Sequence, residues 1–177
     1  MVIQIKQLKL ELIKTQESRM KIRKQFKIEM AHRLVSAFSK DCLNWHGHSY
    51  LIEVILNGNN LNADGMVIDF GEVKAKLNNY IQGWDHCMMI AEFDPLKDRM
   101  VDMMEEFDMK YIIVPVNPTA ENQSIILYQV MHEMGIPVKS VRVHETKTGW
   151  AEFDGSDDIQ DMFVDIEAIV YSTATGI

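Results

Sequence analysis

His46-Gly47-His48 places two imidazoles two residues apart, the spacing that sends both side chains to one face of an extended chain. Such a pair can grip a metal ion, and a third imidazole would complete a site of the catalytic zinc type, with one position left open. His32 has the right parity for that third ligand, because it closes the alternating run Phe26, Ile28, Met30, His32. The pair alone is a weak signal. With six histidines in the chain, an H-x-H arises by chance in roughly one such sequence in five, so exposed or hydrogen-bonded imidazoles compete with a metal site. Cys42, four residues before His46 in the polar stretch Ser39-Lys40-Asp41, adds weight. A nearby cation lowers a thiol pKa and supplies thiolate for acid/base work. The same cysteine could instead close the metal site as a fourth ligand, or pack as a small hydrophobe.

The elements that must position these residues follow from periodicity. A strand ending at His32 and a second over 48–57, HSYLIEVILN, can pair across the loop 35–45. Val73, Leu77 and Ile81 mark a helix, and a second helical stretch lies within 95–107, with Pro95 in its first turn. KYIIVPV at 110–116 reads as a strand, and Pro118-Thr119 opens a helix that ends near Gly135. Alternating strands are expected over 139–146 and 161–171. The sum is an α+β domain, mostly antiparallel, with helices on one face. Residues 1–20 are expected to be an N-terminal extension to a domain spanning 21–177.

Length and composition narrow the function. The 177 residues, 47% hydrophobic and 25% charged, suit one globular domain. A net charge of -8 disfavours nucleic acid or an anionic membrane as partner. No apolar run approaches a bilayer span, and the first residues lack a signal-peptide block, so a cytoplasmic location is expected. Two cysteines, Cys42 and Cys87, do not make a disulfide framework.

Taken in order, the motifs F-x-x-x-x-A-H at 26–32, C-x-x-x-H-G-H at 42–48, G-M-V-x-D-F at 65–70, D-H at 85–86, P-T-x-E-N at 118–122 and V-x-E-T at 143–146 resemble the 6-pyruvoyltetrahydropterin synthase family, which includes the bacterial 6-carboxytetrahydropterin synthases. The resemblance runs from about Gln25 to about Val170. It implies a tunnelling (T-fold) domain, an antiparallel sheet with helices on one face, assembled as a homohexamer of two trimers with active sites shared between subunits. It makes His32, His46 and His48 zinc ligands, Cys42 the general base, Asp85 and His86 its proton-relay partners, and Glu145 the carboxylate that holds a pterin. Thr119 and Glu121 are expected either near the pterin or subunit interface or simply at a helix N-terminus, and Lys147 is a candidate for the triphosphate.

The chemistry suits these residue types. Dihydroneopterin triphosphate carries vicinal hydroxyls that zinc can acidify, and a base must remove the neighbouring C–H proton. Glu145 shares the parity of Val141 and Val143, and a carboxylate on an apolar face needs a partner such as the guanidine-like edge of a pterin. By resemblance, three residues between cysteine and H-G-H mark the 6-carboxytetrahydropterin synthases of 7-deazaguanine (queuosine precursor) synthesis, and Leu43-Asn44-Trp45 are three. The 6-pyruvoyl enzymes usually have five. The implied reaction yields 6-carboxytetrahydropterin, acetaldehyde and triphosphate. A 6-pyruvoyl-type lyase, a non-catalytic zinc or pterin binder on the same fold, and a structural Cys-His-His-His zinc module are the alternatives. The segment from Cys87 to Asp108 exceeds the shortest family pattern and carries the extra helical stretch.

Overall fold

The computed structural model describes residues 20–58, 60–155 and 164–175; the expected N-terminal extension, except Met20, and the start of the strand expected over 161–171 lie outside them. Two long strands organise the site. In β1 (Met20–His32) Phe26, Ile28, Met30 and His32 turn inward, while Lys27 and Glu29 face out. In β2 (His46–Gly58) Tyr50, Ile52, Val54 and Leu56 share the inward parity. The two pair antiparallel, with His32 opposite His46 and Met30 opposite His48. Strand alternation and this register therefore bring all three histidines to one face at one end of the ladder.

Helix α1 (Phe70–Trp84) follows, capped by the Asp69 carboxylate, which accepts from the Gly71 N–H. Its buried stripe of Val73, Leu77, Ile81 and Trp84 lies on the inward face of the sheet. Then come β3 (Cys87–Ala91), α2 (Lys97–Glu106), β4 (Tyr111–Val114), α3 (Ala120–Glu133), β5 (Val138–His144), β6 (Trp150–Phe153) and the two-residue β7 (Val170–Tyr171). The sheet order is β6-β5-β2-β1-β3-β4-β7. Helix α3 buries Ile125, Ile126, Leu127, Val130 and Met131 in the same core as α1 and ends before Gly135, whose φ of 66° suits glycine.

The α+β architecture is as expected, with two differences in detail. The sheet is mixed rather than antiparallel throughout, because β3 runs parallel to β1 and β4 parallel to β3. A parallel neighbour requires a crossover, and α1 and α2 supply the two crossovers. The helices also divide between faces. Met89 and Ile112 join the main core, whereas the adjacent Ile90 and Tyr111 pack with Met100 and Met104 of α2. With α1 and α3 covering one face, α2 packs on the other, over β3 and β4. Two strands, β3 and β6, went unread in the sequence. In the stretch expected as a strand over 161–171, a short 3-10 turn at Ile166–Ala168 precedes β7, with Asp165 accepting from the Glu167 N–H. Pro95 precedes α2 instead of lying in its first turn. No helix among the described residues is long and apolar enough to cross a membrane.

Candidate metal and pterin site

His32 lies at the buried end of β1 with no solvent exposure. Its Nδ1 donates to the Pro118 carbonyl at 2.7 Å, and His46 Nδ1 donates to the Asn44 carbonyl at 2.8 Å. A carbonyl only accepts, so both rings carry their proton on Nδ1 and present the Nε2 lone pair. Those two Nε2 atoms face each other at 3.0 Å. Ligand atoms of His32, His46 and His48 all lie within 4.8 Å of one another. Nitrogens bound tetrahedrally to zinc at 2.0–2.1 Å would stand roughly 3.3 Å apart, so the cluster is close to the size a metal needs.

The electrostatics point the same way. Burial holds the His32 imidazole down at about 4, with the Pro118 carbonyl opposing and His46 and His48 adding to the shift. His48 is lowered as well, chiefly by burial. His32 is thus neutral at physiological pH, the form that ligates. Glu145 Oε1 stands 3.4 Å from His32 Nε2 and 3.9 Å from His48 Nε2. Lone pairs and a carboxylate converge on one point, and a cation there satisfies all of them. The carbonyl hydrogen bonds behind His32 and His46 are the outer support that metal-bound imidazoles require. A divalent metal therefore fits.

Residues 21–156 match the 6-pyruvoyl tetrahydropterin synthase family. The chain belongs to that family. A 6-carboxy-5,6,7,8-tetrahydropterin synthase of Aquifex aeolicus is 34% identical over 155 aligned residues, covering 75% of this chain and 96% of that protein. The protein of the same name from Haemophilus influenzae is 28% identical over 138 residues, covering 75% and 97%. Among solved structures, the Caenorhabditis elegans 6-pyruvoyl tetrahydropterin synthase aligns with a TM-score of 0.56 at 23% identity, covering 80% of this chain and all of that one. An uncharacterized protein from Wolinella succinogenes aligns with a TM-score of 0.61 at 21% identity, covering 77% and 98%. These likenesses identify the fold as the T-fold.

The residues expected from the family resemblance fall into two groups in space. His32, His46, His48 and Glu145 meet at one centre. Asp85 and His86 meet each other elsewhere, where α1 gives way to β3. Asp85 Oδ2 is 3.0 Å from His86 Nδ1, and Asp85 Oδ1 accepts from the Glu29 N–H at 2.9 Å. His86 sits at φ 57°, a left-handed conformation rare outside glycine, and its N–H donates to the Glu29 carbonyl at 2.6 Å. The His86 ring borders a cleft of about 460 Å³ shared with Ala31, Gly47, Ser49 and Met88. By strand alternation those residues belong to the face opposite the three histidines, although Met30, His48 and Cys87, of the histidine parity, also border the cleft.

Cys42 lies half-buried in the short turn Asp41–Leu43 between β1 and β2, and its carbonyl accepts from the Leu34 N–H at 2.8 Å. It does not join the three histidines in their ligand cluster. Thr119 caps α3, its hydroxyl accepting from the Asn122 N–H at 3.4 Å, and Glu121 is exposed in the first turn. Lys147 is exposed in the β5–β6 turn, two residues beyond Glu145.

Three contributors to the centre escaped the sequence reading. Tyr50 continues the parity of His46 and His48, and its hydroxyl is 3.4 Å from the His32 ring nitrogens. Burial pushes its phenol above the usual range, so it stays protonated. Gln123 is buried, donates to the Pro118 carbonyl at 3.2 Å and hydrogen-bonds Tyr50. Pro118 supplies the carbonyl that orients His32. H-x-H-x-Y alternation could have disclosed the tyrosine; the other two depend on tertiary contact.

Proposed function

We propose that this chain is a zinc-dependent 6-carboxytetrahydropterin synthase, a carbon–carbon lyase acting on 7,8-dihydroneopterin triphosphate in 7-deazaguanine biosynthesis in the cytoplasm. The observation that carries the reading is the convergence of three histidines, two of them held by carbonyls so as to present Nε2, with the Glu145 carboxylate beside them. The curated relatives' names and the three-residue spacing between Cys42 and His46 favour the carboxy product over the pyruvoyl one.

His32, His46 and His48 hold the zinc, which when bound supplies Lewis acidity toward the side-chain hydroxyls of the substrate. Cys42 removes the neighbouring carbon-bound proton as general base. Asp85 accepts from His86 Nδ1–H, which fixes the tautomer and leaves Nε2 to receive or return protons. Glu145 accepts two parallel N–H bonds from the guanidine-like edge of the pterin, setting the ring relative to the centre. Thr119 and Glu121 serve this arrangement through the α3 N-terminus, which carries the Pro118 carbonyl behind His32. Lys147 is assigned to the triphosphate.

The separation of the two groups supports active sites shared between subunits. Asp85 and His86 open on the face of the sheet opposite the histidines, so a second chain supplies the relay to each centre. Strand β1 offers an edge for assembly, because β3 reaches only Met30–His32 and leaves Lys21–Ile28 with a strand on one side among the described residues. A homohexamer of two trimers, as the resemblance implies, is the proposed assembly, with residues 1–20 as an extension to the domain.

Metal removal tests the zinc role. Chelation is expected to abolish turnover of dihydroneopterin triphosphate, keep the far-ultraviolet circular dichroism of the fold, and be reversed by zinc. Unfolding on chelation would make the metal structural instead.

A further inference from the structure

The loop that carries Cys42 is fastened from a direction the reaction does not explain. Arg33, next to His32, turns away from the metal centre. Its Nε donates to the Leu43 carbonyl at 3.1 Å and its Nη1 to Asp94 Oδ1 at 3.0 Å. One guanidinium thus spans the Cys42 turn and the β3–α2 junction, inside the segment that exceeds the shortest family pattern. Asp94 has a fully buried side chain, against 12% exposure for Arg33. A carboxylate so placed needs a countercharge, and Arg33 is its ion-pair partner among the described residues. The same Asp94 oxygen accepts from the Leu96 N–H at 2.8 Å, and the Asp94 carbonyl accepts from the Lys97 N–H at 2.9 Å, so the carboxylate is fixed by the entry to α2.

We infer that Arg33 and Asp94 are positioning residues for the general base: the pair ties the Cys42 turn to the β3–α2 junction and holds the thiol at its working place. Backbone reinforces the tie on the other side, where the Leu34 N–H donates to the Cys42 carbonyl at 2.8 Å. Asn117 clamps the same loop further on, accepting from the Val35 N–H at 3.0 Å and donating to the Ser36 carbonyl at 3.2 Å. Of these ties, the Arg33–Asp94 pair is the one that reaches the extra segment. The planar guanidinium is needed because its two donors point to two separate acceptors, and a lysine ammonium at the same charge does not span both. The inference rests on the assignment of Cys42 as base, and its test has a readout independent of turnover.

Arg33→Lys and Asp94→Asn are compared with the parent as zinc-loaded full-length protein. Both are expected to keep zinc stoichiometry and KM, to lose roughly ten- to hundredfold in kcat as the base is misplaced, and to raise the rate of Cys42 alkylation by iodoacetamide, followed by peptide mass spectrometry. Cys87 is the internal control: it is 4% exposed, and general unfolding would expose both thiols. Faster alkylation of Cys42 alone supports the positioning role. An unchanged Cys42 rate, or parallel acceleration at Cys87, overturns it. Should the parent protein not turn over the pterin, the alkylation comparison still decides the role of the pair, while the functional reading falls on its own.

Discussion

Cys42→Ala is expected to retain full zinc and to lose about a hundred- to ten-thousand-fold in kcat, the usual contribution of a positioned acid/base group. Zinc is retained because the three histidines form the ligand cluster without the thiol, and two of them are oriented by main-chain carbonyls that the substitution leaves in place. Turnover falls because no carboxylate occurs between Cys42 and His46 to replace the base, the intervening residues being Leu43, Asn44 and Trp45. Metal analysis beside steady-state kinetics checks both halves. Loss of zinc would make the cysteine a fourth ligand and the site a closed, structural one.

Glu145→Ala is expected to act on binding. A charge-assisted pair of hydrogen bonds to the pterin contributes about 1.5–3 kcal/mol, so KM should rise roughly ten- to hundredfold while kcat changes by only a few-fold. Glu145 stands 3.4 Å from His32 Nε2 with its side chain 31% exposed, near the metal centre and open to a ligand. Zinc stoichiometry measured on the same variant separates the two roles that this position allows. Unchanged kinetics would remove Glu145 from the site; lost zinc would move it to the metal.

The histidine centre was legible because it depends on local rules. Alternation set the faces of His32, His46 and His48, and a single hairpin aligned them. Glu145 was legible through its parity with Val141 and Val143, although what it met was not. Asp85 and His86 were legible as a motif but not in their placement. Adjacent residues give no face, and the left-handed turn at His86 depends on Glu29, which accepts its N–H across 57 residues of sequence. Cys87-Met88-Met89-Ile90-Ala91 hides a strand, because methionine and alanine favour helices and buried parallel strands lack alternation. Met100 and Met104 mark the buried stripe of α2 but not which face of the sheet it meets; that was decided by α1 and α3 already filling the other. Arg33 and Asp94, 61 residues apart, are joined by tertiary structure alone.

Under the proposed function, the chain that follows Asp85 and His86 connects the parts of the site. It begins beside the Asp85–His86 pair, passes through Asp94 and α2, and is followed by β4, whose connection to α3 carries the Pro118 carbonyl that orients His32. The stretch from Cys87 to Pro118 thus begins beside Asp85 and His86, binds Arg33 through Asp94 and binds His32 through the Pro118 carbonyl.

Product identification by mass spectrometry, after zinc-loaded protein has been incubated with 7,8-dihydroneopterin triphosphate, tests the function most directly. The expected result is 6-carboxytetrahydropterin together with acetaldehyde and triphosphate. A 6-pyruvoyl product, or no product from zinc-replete protein, would contradict it.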